Sequence, residues 1–234
     1  MSCLEIREIT TGYGKIRVIE NLSLKILSGK VTLLVGPNGS GKSTLAKAAV
    51  GILPVKKGSI WLNGSRIDGL SAEKIARIGV SYVPEDRHLF WDMTVRENLL
   101  MGGITLNKKQ IEKALKRVYK LFPILEERSN QRVKTLSGGE QQMLAIARAL
   151  VNEKTNVFIL DEPCSGIAPK VIDKIFEVIM LLKQKEKAIL LIDQNTEALE
   201  IADYVYFMRV GEIVAQGKPE DFISQSGIKE ILLT

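Results

Sequence analysis

The chain has 234 residues, 45% of them hydrophobic and 26% charged, and a formal net charge of +6. That length and apolar content suit one large domain or two small ones and exclude disorder and fibrous repeats, while two cysteines and a single histidine exclude a disulfide scaffold and a Cys/His zinc site. The basic balance is compatible with nucleic acid, a membrane surface or a phosphorylated ligand. No apolar run exceeds about five residues, against the ~20 of a membrane-spanning helix. The opening MSCLEIREI lacks the basic-then-apolar pattern of a secretory signal, so a soluble, cytoplasmic protein is expected.

In chain order, short strands are predicted at Leu4 to Ile9, Leu22 to Ile26, Val31 to Val35 and Ser59 to Leu62, the last closed by Asn63-Gly64. One helix interrupts them at about Ser43 to Val50, stopped by Gly51 with Pro54 beyond, and a shorter one follows Ser71. From Thr94 to about Asn152 the spacing turns helical. Thr94 and Glu97 form a capping-box pair, and Ile111, Leu115, Val118 and Phe122 make an apolar stripe. Lys108, Lys109, Lys113, Lys116, Arg117 and Lys120 fall on the polar side of that helix and read as a solvated face. Apolar runs at Val157 to Leu160, Ala188 to Ile192 and Tyr204 to Met208 then alternate with helices near Pro169 to Leu182 and Thr196 to Ala202. The expected fold is α/β with a largely parallel sheet. One compact unit is expected, with a nucleotide-binding core and N-terminal β subdomain at 1–84 and 152–216, a helical insertion at 85–151 and a short helical end at 217–234.

Gly36-Pro37-Asn38-Gly39-Ser40-Gly41-Lys42-Ser43 matches the phosphate-binding spacing G-x-x-x-x-G-K-[ST] and lies between a buried strand and a helix, where that motif must lie. Its glycines let consecutive N–H groups face inward, and the helix start, which continues into Thr44, adds partial positive charge for phosphate oxygens. Lys42 would reach the β and γ phosphates, and Ser43 would offer its hydroxyl to Mg²⁺. ATP and Mg²⁺ are the expected ligands. The strand Val157 to Leu160 ends in Asp161-Glu162; Asp161 is the expected metal carboxylate and Glu162 the expected general base, against the plainer reading that either acid caps the turn before Pro163. Ser137-Gly138-Gly139-Glu140 opens another helix. Capping explains Ser137 and Glu140, but the paired glycines suit a second anion site, and Ser137, Gly138, Gly139 and Glu140 are the expected nucleotide contacts there.

With Leu136-Ser137-Gly138-Gly139-Glu140 placed after the glycine-rich loop and before Asp161-Glu162, the sequence resembles the ATP-binding cassette family over nearly its whole length. The resemblance implies a P-loop NTPase core with an antiparallel β subdomain and an inserted helical subdomain. It also implies a dimer of two identical or related chains, in which each ATP lies between the glycine-rich loop of one subunit and the Ser137-Gly138-Gly139 helix start of the other. Tyr13 matches the residue that stacks on adenine in that family, although a turn tyrosine would look the same in sequence.

Two positions depart from the family pattern. Glu85 replaces the usual Gln as a ligand of metal and water, which adds negative charge beside the γ-phosphate; Gln194 in Asp193-Gln194-Asn195 replaces the usual His, so it can donate a hydrogen bond but cannot titrate. Both, with Val83 to Phe90, resemble ATPase subunits of branched-chain amino acid importers, and urea or amide importers are the alternative. The resemblance implies two permease subunits, an extracytoplasmic amino-acid-binding protein reached indirectly, peripheral attachment at the cytoplasmic membrane face, and no nucleic acid. Phe90, Trp91 and Met93 are expected to be exposed and to dock a permease helix, with packing inside the helical lobe as the alternative. His88 is expected to be solvated or at a subunit contact rather than catalytic. The rivals are a nucleic-acid-linked ATPase of the same family and a P-loop kinase; neither coiled-coil arms nor a tandem cassette is present for the first, and the second has no use for the Ser137-Gly138-Gly139 helix start.

Overall fold

The computed structural model describes residues 3–194 and 196–223. Two nine-residue strands, β1 (Cys3–Thr11) and β2 (Ile19–Leu27), pair antiparallel, and the alternation of Leu22, Leu24 and Ile26 with exposed neighbours gives β2 one buried face. The next strand, β3 (Val31–Val35), is apolar except for Thr32 because both of its faces are covered. It feeds the glycine-rich loop and helix α1 (Lys42–Ala49), which Gly51 ends with φ +73°. Then come β4 (Val55–Leu62), β5 (Ser65–Arg66), α2 (Ala72–Arg77) and β6 (Val80–Val83). Asn63 and Gly64, both at positive φ, make the tight turn between β4 and β5.

The helical stretch resolves into α3 (Val95–Gly102), α4 (Lys108–Leu121), α5 (Pro123–Glu127), a 3₁₀ turn at Val133–Thr135 and α6 (Gly138–Leu150). The predicted capping box at Thr94 and Glu97 is present, and on α4 Leu115 and Val118 are buried. Arg117 is a correction to the solvated face predicted for α4. Its guanidinium turns inward to Leu150 O at 2.9 Å and Val151 O at 3.2 Å and pairs with Glu153, because the last carbonyls of α6 have no intrahelical donor.

The chain continues through β7 (Val157–Asp161), α7 (Pro169–Gln184), β8 (Ala188–Ile192), a 3₁₀ turn at Thr196–Glu200, β9 (Tyr204–Arg209), β10 (Glu212–Gly217) and α8 (Glu220–Ile223). Of the helical end expected over 217–234, residues 224–234 lie outside the described residues, as does Asn195. One sheet has the order β2-β1-β4-β5 and is antiparallel; the other, β10-β9-β3-β8-β7-β6, is parallel except for β9 with β10. The parallel sheet divides two apolar cores. Leu33, Phe158, Leu160 and Leu191 face the core of α3, α4 and α6, whereas Leu34, Ile159, Leu190 and Ile192 face that of α1 and the antiparallel sheet. The carboxyl ends of β3, β6, β7 and β8 open together, which is where α/β sheets place ligands.

Candidate functional site

The loop after β3 is shaped by contacts that only glycine permits. A Cβ at Gly36 would meet Met208 O at 2.2 Å, and Gly41 has φ +106°, which L side chains rarely adopt. Behind the loop the turn after β9 braces it, Gly211 N–H donating to Ser40 O at 2.8 Å. Lys42 is buried, with its ammonium donating to Gly36 O at 2.8 Å and Pro37 O at 3.1 Å and lying 3.8 Å from Glu162 Oε1. The cation therefore sits inside the curl, held by carbonyls that an incoming phosphate can replace.

Asp161 ends β7 at 1% exposure. Its Oδ2 accepts from the Tyr82 hydroxyl at 2.9 Å, and its buried Oδ1 has no hydrogen-bond partner. Burial pushes this carboxyl above the usual range, while the Tyr82 and Ser43 hydroxyls favour its charged form. Glu85 is likewise held high, first by burial and then by Glu162, Asp161 and Asp86. Glu162 has a positive φ of +47°, held by its N–H donating to Ile192 O at 2.7 Å. That turn brings Glu162 Oε1 to Gln194 Nε2, which donates to it and to Asn38 Oδ1, both at 2.7 Å. Asn38 and Lys42 of the glycine-rich loop are thus joined to Glu162 and Gln194, which are distant in sequence, by the two Gln194 hydrogen bonds and by the Lys42–Glu162 ion pair.

Among the described residues no three acids, histidines or cysteines converge tightly enough to hold a metal by themselves. The donor set nevertheless fits magnesium: an orphaned carboxylate oxygen on Asp161, the Ser43 hydroxyl, and acid in excess around one lysine, with phosphate oxygens and water left to complete the shell.

Ser137 caps α6 by accepting from Glu140 N–H at 3.3 Å, and the Glu140 carboxylate accepts from Ser137 N–H at 2.8 Å and approaches Arg128. Glu140 belongs with Ser137, Gly138 and Gly139 to the expected nucleotide contacts. Its carboxylate is taken by the cap and would repel phosphate, so only its backbone faces an anion. Ser137 and Gly138 are exposed, nothing lies within 4 Å of a Cβ at Gly138, and no hydrogen bond joins this helix start to the glycine-rich loop among the described residues. Tyr13 is also exposed, in the turn between β1 and β2. His88 is exposed and paired with Asp86 at 2.7 Å. Phe90 and Trp91 are exposed as expected, whereas Met93 is half-buried because its carbonyl accepts from Val133 N–H, which anchors the loop.

Four residues of this region had no sequence signal of comparable strength. Tyr82 is a polar tip in an apolar strand, a hint that its hydroxyl needs a partner. Arg87 donates to Gln142 Oε1 at 2.7 Å and Gln141 Oε1 at 3.2 Å, and Arg148 donates to the carbonyls of Arg87 and His88, which rivets the segment after Glu85 onto α6. Cys164 is free and buried, its thiol pushed up by burial and by Asp193.

The family model described as ABC transporter matches residues 19–165, more than half of the chain. The chain belongs to the ABC transporter family. Among relatives of this ABC cassette, the high-affinity branched-chain amino acid transport ATP-binding protein BraG of Pseudomonas aeruginosa is 38% identical over 231 residues, covering 98% of this chain and 99% of its own. The probable branched-chain amino acid transport ATP-binding protein LivF of Archaeoglobus fulgidus is 35% identical, covering 97% and 96%. A solved ATP-binding cassette of an ABC transporter in its ADP conformation superposes with a TM-score of 0.86 at 28% identity, covering 99% of this chain and 98% of that one. The α/β cassette fold expected from the sequence is the observed one.

Proposed function

We propose that this cassette is the ATP-hydrolysing subunit of an importer of branched-chain, hydrophobic amino acids. The names of the full-length relatives support the cargo. The observation that carries the chemistry is the group formed by Lys42, Glu162, Gln194 and Asn38 beside Asp161. Glu162 Oε1 is occupied by Gln194 and faces Lys42, which leaves Oε2 to take the proton from the water that attacks the γ-phosphate in line. Lys42, on leaving Gly36 O and Pro37 O, neutralises charge on the β and γ phosphates. Tyr13 stacks on adenine. The backbone of residues 36 to 44 cradles the phosphates. Ser43, Asp161 and Glu85 would hold Mg²⁺, which supplies charge neutralisation at the phosphates when bound.

The start of α6, with Ser137 and Gly138 exposed, supports a dimer of two identical or related chains, since it stands free of the chain's own loop and suits the nucleotide of a partner. A groove of about 470 Å³ lined by Ile52, Ala76, Phe90, Met101, Ala145 and Arg148 supports docking of a permease helix, and hence peripheral attachment at the cytoplasmic membrane face. Binding and hydrolysis of ATP would close and open the dimer and drive the permeases.

The test is Glu162→Gln. Light scattering should show an ATP-dependent dimer, with turnover about 100-fold lower or more; turnover near that of the unaltered protein would sink the base assignment. For cargo and partners, the chain is purified from detergent-solubilised membranes: permeases and an amino-acid-binding protein should accompany it, whereas soluble or ribosomal partners alone would favour a nucleic-acid role.

A further inference from the structure

A second cleft, of about 210 Å³, lies at the opposite end of the parallel sheet from the glycine-rich loop, where the chain enters β7 and β8. It sits between the helical insertion and the core, with walls from α4 and α6 on one side and α7 on the other. Its interior is largely apolar: Leu121, Leu150, Phe158, Val178, Leu181 and Leu182 line it, with Asn152 and the buried Thr155 as uncharged polar members. Its rim is cationic: Arg117, Lys185 and Lys187, against a single acid, Glu153.

The three cations are not equivalent. Arg117 is committed to the end of α6 and to Glu153. Lys187 donates to Asn156 Oδ1 at 2.9 Å and Glu153 O at 3.4 Å, using two of its three N–H groups. Lys185 has no side-chain partner among the described residues. Burial holds the Lys187 ammonium below its ordinary range, and although Glu153 opposes this, Lys185 and Arg117 add to it. A rim with more cations than anions, around an apolar hollow, favours an occupant with negative charge at one end and hydrocarbon at the other.

We propose that this cleft binds a small amphiphilic carboxylate, its short hydrocarbon chain on Leu121, Phe158 and Leu182 and its carboxylate on Lys185 and Lys187. At about 210 Å³ the hollow is somewhat larger than a cavity of about 150 Å³ that takes one benzene ring, the size of a short-chain acid rather than a long-chain lipid. A free amino acid fits less well, because its ammonium would face two lysines. The proposal is independent of the function argued above, since binding is read directly and without nucleotide.

The probe is 4-methylpentanoate, titrated calorimetrically into the full-length chain at low salt, with 4-methylpentanamide and acetate as controls. Expected is saturable binding of one acid per chain, about tenfold weaker for either control and about tenfold weaker in Lys185→Gln, as loss of one charge-assisted contact implies. Lys185 is exposed, so that variant should fold, and circular dichroism checks it. Leu181→Phe, which narrows the mouth, should weaken binding of the acid while leaving ATP hydrolysis unchanged. Absence of saturable binding, equal affinity for the amide, or binding unaffected by Lys185→Gln would each overturn the proposal.

Discussion

Asp203 stands immediately before β9 and ties three elements together: its carboxylate accepts from Lys30 at 3.0 Å and from Val31 N–H at 2.9 Å, and Lys183 of α7 lies 2.8 Å away. Replacement by Asn keeps the size and one acceptor but removes the charge. Two partly exposed ion pairs contribute ~0.2–1 kcal/mol each, and loss of charge assistance in the backbone bond adds ~1 kcal/mol. The expected loss is ~1.4–3 kcal/mol, or about 3–12 °C in melting temperature for a chain of this length. Burial works to raise the Asp203 carboxyl, but Lys183, the Val31 amide and Lys30 outweigh it and hold the group below the ordinary carboxylate range. A depressed folded value means that the contribution is complete above the unfolded value of about 4 and fades as pH falls through the folded one. Urea unfolding of both proteins should therefore show the full gap at pH 7 and a shrinking one below about pH 4. A gap independent of pH, or one under ~0.5 kcal/mol at pH 7, would refute the reasoning.

Asn98 is fully buried and makes both hydrogen bonds to Phe90, accepting from its N–H at 2.9 Å and donating to its carbonyl at 3.0 Å. Asn98→Ala should cost ~2–4 kcal/mol in chemical denaturation, because the two Phe90 groups are left without partners; a loss under ~1 kcal/mol would mean that water replaces them. Val210 is β-branched, exposed, and held at φ +44° in the turn before Gly211. Val210→Asn should raise stability by ~1 kcal/mol, seen as a higher melting temperature, and an unchanged value would show that the turn carries no strain. Tyr82→Phe removes the hydroxyl on Asp161 Oδ2 and should weaken nucleotide binding in the presence of magnesium by about fivefold or more, with a smaller effect when magnesium is withheld. Equal losses under both conditions would count against Asp161 as the metal-facing acid.

What the sequence disclosed was mainly what short-range chemistry governs. The glycine-rich loop, the capping boxes at Thr94 and Ser137, and the stop at Gly51 each depend on residues within a few positions of one another, so spacing alone displays them. The ends of the first strands were less legible. Pairing of β1 slips after Ile6 and again after Ile9, so alternation breaks down and the strand runs on to Thr11 unseen. The environment of the candidate base was illegible for another reason: Gln194, Glu162 and Asn38 meet only because β8, β7 and β3 are neighbours in the sheet, and strand order is not written in any one segment. Arg117 shows the limit of amphipathic reasoning, since it has the polarity of a solvated position and is used inside the fold.

The division of the interior by the parallel sheet has a consequence for exchange with solvent and for response to load. Leu45 and Ala46 of the phosphate-loop helix belong to one apolar compartment, and Leu144 and Ile146 of the helix that begins at Gly138 belong to the other. The starts of α1 and α6, the two proposed anion sites, are thus fastened to opposite sides of a common partition and share no side-chain filling. Amide protons of α6 should become labile together with those of α3 and α4 while those of α1 stay protected, so that a pull on one compartment changes the tilt of its helix before it disturbs the other.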